Sequence, residues 1–170
     1  MAIDASGDAL GAAVDGNVAL IKPNRDELAG VVGRELPTLG AVADAAIEVR
    51  DGGVSGVVVS LGSSGALLAD ESGLMHGTAP TDVVKNTVGA GDAFMAGFLY
   101  GGGAGPDALR EALSWGRAAV QSATTSFPPA TDADRASVTL STDLDRDLPC
   151  LLYTSPSPRD ATLSRMPSSA

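Results

Sequence analysis

The sequence is poor in residues that several classes of protein require. It contains one cysteine, Cys150, which excludes an intramolecular disulfide and a cysteine-based metal site. Aromatic residues make up 4% of the chain, so its core has to be built from alanine, valine and leucine. No apolar run reaches the length of a membrane span, and the acidic N-terminus has no basic region typical of a signal peptide. We therefore expect a cytoplasmic protein that makes no membrane contact.

Positive charge is also scarce. Lysine and arginine number 11 against 21 aspartate and glutamate residues, which gives a net charge of −10. An acidic surface disfavours non-specific binding to nucleic acid or to anionic membranes. It remains compatible with a phosphorylated substrate, because backbone dipoles and a few cations can bind phosphate locally. We expect small-molecule partners and no nucleic acid.

The chain has 170 residues, of which 44% are hydrophobic, enough for one domain with a core. Strands and helices alternate, which predicts an α/β sheet with right-handed crossovers. The apolar run 57–59, followed by Leu61, is typical of a strand buried on both faces. Helices are predicted at 8–14, 25–32, 39–50, about 91–100 and 107–122, and further strands at 18–21, 65–70, 73–77 and 82–84.

The segment NTVGAGDA, at 86–93, carries the most informative chemistry. Its small residues let the backbone approach a ligand closely, and the free N–H groups of the helix that follows favour an anion. Asp92 lies beside these groups and can accept a proton from a substrate hydroxyl. Phosphoryl transfer needs both parts, charge stabilisation and a positioned base. The plainer interpretation is a glycine-rich turn in which Asp92 caps the helix.

The longer run TVGAGDAF, followed by an apolar helix rich in alanine and glycine, resembles the signature of the ribokinase/PfkB family of carbohydrate kinases. This resemblance implies that the amides of Gly89, Ala90 and Gly91 form an anion hole and that Asp92 is the catalytic base. It also implies a ribokinase-like three-layer α/β sandwich with a mostly parallel sheet, of which the chain represents the C-terminal half only. The implied cofactors are ATP and Mg²⁺. A homodimer is a possible assembly of the full-length protein.

A second segment, KPNRDEL at 22–28, resembles the KPNxxEL segment of the same family. The resemblance implies that Asn24 and Glu27 lie at the ATP phosphates and act on Mg²⁺ indirectly, through water. Lys22 is a candidate phosphate contact, and a solvated charge at the end of a strand is the alternative. An Asn/Glu pair suits Mg²⁺, which keeps most of its waters. The pair also fits a helix N-cap closed by a capping box, and the two interpretations are compatible.

A third segment, SLGSSGA at 60–66, resembles a family turn that faces the ATP phosphates. It implies phosphate contacts by Ser60 and Gly62 and a weaker one by Gly65, whereas an ordinary glycine-rich hairpin turn is the alternative. Ligands commonly bind at the carboxyl ends of strands in such sheets. Lys85 and Asn86 remain without an assigned role.

The segments DASGDAL at 4–10 and GRELP at 33–37 bear on the substrate. Within the family, the first resembles a segment of the branch that acts on fructose and tagatose phosphates. The second, together with residues 20–28, resembles the members that convert fructose 1-phosphate to fructose 1,6-bisphosphate. Branches that act on tagatose 6-phosphate or fructose 6-phosphate share much of this pattern, and an inactive nucleotide-binding fragment is a further alternative. A dinucleotide-binding oxidoreductase is disfavoured, because no G-x-G-x-x-G follows the first strand.

Composition divides the chain into three parts. Residues 1–130 are predicted to be the nucleotide-binding part, and 131–149 form a polar C-terminal segment rich in Asp, Ser and Thr. Residues 150–170 fit a disordered tail. This run also resembles an in-frame translation of a sequencing-library adapter, the interpretation that we favour, and it is excluded from the fold prediction.

Overall fold

A computed structural model describes residues 2–4, 8–16, 18–124 and 129–150 of the chain. The predicted disordered or adapter-derived tail therefore lies, beyond Cys150, outside the described residues. The elements are β1 (Ala2–Ile3), α1 (Asp8–Asp15), β2 (Leu20–Ile21), α2 (Arg25–Val32), α3 (Leu39–Asp51), β3 (Gly56–Ser60), a 3₁₀ turn (Gly62–Ser64), β4 (Ala66–Asp70), β5 (Gly73–Thr78), α4 (Ala90–Tyr100), α5 (Gly105–Gln121), α6 (Asp132–Ala136) and β6 (Thr139–Ser141).

The six strands form one sheet in sequential order, β1-β2-β3-β4-β5-β6. The pairings β1–β2 and β2–β3 are parallel, and those from β3 to β6 are antiparallel. Parallel neighbours need a crossover, and here α1, then α2 and α3, supply it. Antiparallel neighbours can be joined by short turns, as by the two residues between β4 and β5, whereas α4, α5 and α6 lie between β5 and β6. The sheet is therefore mixed, with its parallel part at the N-terminal side.

Helices cover both faces of the sheet. Side chains alternate along β3, so Val57 and Val59 pack in a cluster with α1, α2 and α3, whereas Val58 packs in a second cluster with α4 and α5. Phe98 of α4 is fully buried in the second cluster. This arrangement confirms the three-layer α/β sandwich and the strand that is buried on both faces.

Most predicted helices are confirmed to within a few residues, but the strand predicted at 82–84 is wrong. That stretch is irregular, and Val83 and Val84 are exposed. The Val83 N–H donates to the hydroxyl of Thr81, which closes a local turn instead of a ladder. A pair of β-branched residues favours a strand only where neighbouring side chains pack against it.

The polar segment 131–149 contains α6 and β6, and β6 extends the sheet by pairing with β5. The amide of Leu39 donates to the carbonyl of Leu148, and the amide of Cys150 donates to the carbonyl of Pro37. Cys150 is buried, and this burial raises the pKa of its thiol. The division into three parts stays a prediction. In the part of the chain that the structure describes, none of the helices has the length and apolar character needed to cross a membrane.

Candidate active site

The carboxyl ends of the three parallel strands meet at one edge of the sheet. Asp4 follows β1, Lys22 follows β2, and Ser60 ends β3. The N-terminus of α4 lies against the same edge, because a Cβ built on Gly91 would lie 3.6 Å from Lys22 Nζ. The structure thus brings together Lys22 and the Gly89–Gly91 turn, which the sequence placed 67 residues apart (89 − 22). Such strand ends are the usual ligand side of an α/β sheet.

The start of α4 exposes backbone donors. Gly89 is the N-cap, with φ 79° and no side chain that caps the helix. The amide of Ala90 donates to the carbonyl of Thr87 at 3.3 Å, whereas those of Gly91 and Asp92 find no acceptor among the described residues. These two free N–H groups and the helix dipole favour a bound anion.

Asp92 lies in the first turn of α4 and is exposed. Its carboxylate makes no hydrogen bond within the described ranges, so it does not cap the helix, and the plainer interpretation of the turn is not what the structure shows. An unengaged carboxylate beside two free amides is available to accept a proton from a ligand.

Lys22 is 6% exposed, and a lysine is rarely buried to this extent unless its charge is paired. Its Nζ lies 3.1 Å from Oδ2 of Asp4, and its amide donates to the carbonyl of Ile3. Sequence reasoning assigned no site role to Asp4. The available signal was its position at the end of the first strand, one parallel neighbour away from Lys22.

Asn24 and Glu27 form the capping box of α2. Oδ1 of Asn24 accepts from the amide of Glu27 at 2.9 Å, and Oε2 of Glu27 accepts from the amide of Asn24 at 2.8 Å. The other oxygen of Glu27 has no hydrogen bond among the described residues. The capping interpretation is confirmed, and an indirect contact with Mg²⁺ stays a prediction.

A protein-only metal cage is not visible in the described ranges, since no cluster of three or more His, Cys, Asp or Glu side chains is found there. Mg²⁺ typically takes only one or two carboxylates from a protein and keeps several of its waters. The free oxygen of Glu27 is suited to a metal-bound water.

The turn after β3 contains two glycines with different surroundings. Gly62 has φ 59°, and a Cβ on it would meet nothing within 4 Å. Gly65 has φ 87°, and a Cβ on it would lie 2.0 Å from the carbonyl oxygen of Gly77. Packing alone therefore requires glycine at position 65. Ser60 lies beside the start of α2, where its amide donates to the carbonyl of Pro23.

The loop that leads into α4 is fastened to the end of α5. The amides of Lys85 and Asn86 both donate to the carbonyl of Val120, and Oδ1 of Asn86 accepts from the amide of Val88 at 2.9 Å. Asn86, which had no role in the sequence analysis, thus shapes the approach to Gly89. Lys85 is exposed.

Charged side chains away from this edge hold α6 against α5. Glu111 accepts from Arg135 and from Trp115; the Arg135 bond is the main cause that lowers the pKa of this carboxyl. Burial alone would raise the pKa of Asp134, but hydrogen bonds from Thr131 and Arg117 outweigh burial and lower it. These groups stabilise the fold rather than line the site.

Comparison with known families decides the assignment. Residues 3–132 match the model of the pfkB family carbohydrate kinases. The chain belongs to this family. The resemblance drawn from TVGAGDAF and its neighbouring segments is therefore confirmed.

Individual pfkB relatives are similar over part of their length. The chain is 43% identical to 1-phosphofructokinase of Escherichia coli (strain K12) over 98 residues, which are 58% of this chain and 31% of the relative. It is 42% identical to ATP-dependent 6-phosphofructokinase isozyme 2 of the same strain over 124 residues, 72% of this chain and 40% of the relative. The crystal structure of phosphofructokinase-2 from Escherichia coli in complex with potassium is 34% identical, with a TM-score of 0.69. That match covers 79% of this chain and 45% of the crystal structure's chain, so the chain spans less than half of these relatives.

Proposed function

We propose that the full-length protein transfers the terminal phosphoryl group of ATP to a hydroxyl of a sugar phosphate. Fructose 1-phosphate is the preferred acceptor, and fructose 1,6-bisphosphate is then the product. The observation that carries the proposal is the meeting of two free amides, a buried lysine and an unengaged aspartate at one edge of the sheet. Phosphoryl transfer requires this combination of charge stabilisation and a base.

Each group has a role that its position supports. Asp92 accepts the proton of the attacking hydroxyl, and the free amides of Gly91 and Asp92 stabilise charge on the transferring group. Lys22 adds a fixed positive charge 3.6 Å from the Cβ position of Gly91. Bound Mg²⁺ would neutralise phosphate charge, and Asn24 and Glu27 would hold its waters. Ser60 and Gly62 line the phosphate side at the end of β3.

The choice of sugar rests on the relatives. Similarity to 1-phosphofructokinase supports fructose 1-phosphate, and the longer match to 6-phosphofructokinase isozyme 2 supports fructose 6-phosphate as the second candidate. Tagatose 6-phosphate shares the chemistry of both. Since the chain spans 31% and 40% of these relatives, it would act only within the longer protein, and alone it would be an inactive nucleotide-binding fragment. A homodimer of the longer protein stays a prediction.

The test is ADP release by the full-length protein, offered the three sugar phosphates in parallel. We expect the largest kcat/KM with fructose 1-phosphate. Preference for another sugar would correct the acceptor and keep the reaction type. Failure with all three sugars, while ATP still binds, would contradict the proposal.

Asp92→Asn tests the base. Loss of a general base lowers rates by about 10²- to 10⁴-fold, so we expect such a fall in kcat with little change in ATP affinity. Asp107→Asn is the matched control, because Asp107 lies in the first turn of α5 and is also exposed. Equal activity of Asp92→Asn and the wild type would remove Asp92 from the mechanism.

A further inference from the structure

The ion pair between Lys22 and Asp4 has a consequence for the site beyond charge balance. We propose that Asp4 is a positioning residue, which holds the ammonium of Lys22 beside Gly91 at the start of α4. The inference rests on the proposed phosphoryl transfer, and it concerns how the site is kept ready for an anion.

The first observation is the backbone register. Ile3 and Ile21 are partners in the parallel pairing of β1 and β2, and the amide of Lys22 donates to the carbonyl of Ile3. Asp4 and Lys22 are therefore the next residues of two adjacent strands. The backbone places both side chains at the same height on the same edge, and their charged atoms meet at 3.1 Å.

The second observation is the contrast in exposure across the pair. The side chain of Lys22 is 7% exposed, whereas that of Asp4 is 35% exposed. Water therefore screens the carboxylate more than the ammonium. Asp4 can therefore hold Lys22 in place while its own charge is partly screened, so that the charge of the ammonium is not fully cancelled where it faces Gly91.

The third observation is what lies beside Gly91. Among the described residues, and leaving aside its chain neighbours and the backbone of its own helix, the one heavy atom within 4 Å of a Cβ on Gly91 is Nζ of Lys22. A lysine side chain loses rotamer entropy when it is fixed. Asp4 provides the contact that offsets this cost before a ligand arrives.

The direction in which Asp4→Asn changes the affinity for an anionic nucleotide separates a positioning role of Asp4 from a purely electrostatic one. Asp4 is negative, so if only its charge mattered, Asp4→Asn would strengthen the binding of an anionic nucleotide. If Asp4 positions Lys22, the same substitution weakens binding, because the ammonium is no longer held at the hole. Asp4→Glu keeps the charge and should restore much of the loss.

The contact itself is measurable without activity. The sequence contains two lysines, Lys22 and Lys85, and Lys85 is exposed. In the 170-residue chain with ¹³C-labelled lysine, we expect the two Hε protons of Lys22 to have distinct NMR shifts and to merge in Asp4→Asn. Those of Lys85 should stay merged in both. Distinct Lys22 shifts that persist in Asp4→Asn would overturn the proposal.

Kinetics of the full-length protein complete the test. We expect Asp4→Asn to lower kcat/KM for ATP about tenfold or more, and Asp4→Glu to recover kcat/KM to within about threefold of wild type. The double variant, Asp4→Asn with Lys22→Met, should have a kcat/KM no lower than that of Lys22→Met alone. Asp44→Asn is the matched control, since it removes an exposed carboxylate paired with Arg146 far along the chain. Tighter ATP binding in Asp4→Asn, or additive losses in the double variant, would overturn positioning. A wild type that transfers no phosphoryl group would instead defeat the proposed function, while the NMR result would still decide whether Asp4 fixes Lys22.

Discussion

The two ends of α4 use glycine for opposite reasons. At the N-terminal end, the one described neighbour of a Cβ on Gly91 outside its own helix and its chain neighbours would be the ammonium of Lys22, at the ordinary contact distance of 3.6 Å. In the C-terminal half, a Cβ on Gly97 would lie 2.7 Å from the carbonyl oxygen of Glu111 and 2.8 Å from Cγ of Trp115. The first glycine borders free space, and the second borders the neighbouring helix.

This difference separates a ligand-facing glycine from a packing glycine. Both lie in one apolar helix, and the sequence alone gives them the same appearance. Small residues permit close approach of either a ligand or another helix. The neighbours of the missing side chain show which of the two approaches at each position.

The largest expected effect on stability is that of Gly97→Ala. Overpacking a well-packed interface costs about 1–3 kcal/mol, so the free energy of unfolding of the chain should fall by this amount in a urea titration. Gly30→Ala is the control: Gly30 lies in α2, and a Cβ there would meet no described residue within 4 Å. That control should be neutral or stabilising by about 0.4–1 kcal/mol. Equal stability of the two variants would break the comparison.

Gly91→Ala should give the converse result. Its stability should resemble that of Gly30→Ala, because the Cβ has room and the position is helical. ATP affinity of the full-length protein should fall about tenfold, or 1.4 kcal/mol, since the methyl group occupies the space beside the free amides. Isothermal titration calorimetry measures the affinity. Unchanged affinity would mean that phosphate does not approach this turn.

The pH dependence of the free energy of unfolding should separate the packing of α4 on α5 from the ion pairs of Glu111 and Asp134. The pKa values of Glu111 and Asp134 are lower in the folded protein than their ordinary values of 4.5 and 3.8. The stability they contribute is therefore present above those values and is lost as the pH falls through the folded pKa. Urea titrations at falling pH should show the decline beginning below about pH 4.5. Glu111→Gln should flatten part of this decline, whereas Gly97→Ala should shift the whole curve downward with its shape unchanged.

Local sequence predicted much of the fold. The helix over Arg25–Val32 matches its predicted bounds, because Asn24, Glu27 and Gly33 are strong end signals. The strand at 82–84 was wrong because two valines have no partner strand there. The antiparallel part of the sheet was not predicted, since pairing direction depends on contacts between distant residues.

The sequence predicted which residues belong to the candidate site but not how they are arranged in space. The segments around Asn24, Ser60 and Asp92 were recognisable because each lies in a contiguous motif. The contact of Lys22 with Asp4 was not, because it joins two strands across a crossover. The hydrogen bonds between the carbonyl of Val120 and the loop before Gly89 were also not predicted, because every residue has a backbone carbonyl and the sequence does not show which one accepts.

The pairing of β1 with β2 has a consequence for the candidate site. Ile3 is partly buried and packs against the hydrophobic cluster that contains α1, α2 and α3, and its carbonyl accepts from the amide of Lys22. Asp4 is the next residue, and its carboxylate contacts Lys22. A change in the packing of Ile3 would therefore be transmitted to the ammonium of Lys22 through the main chain, although Ile3 itself need not touch a ligand.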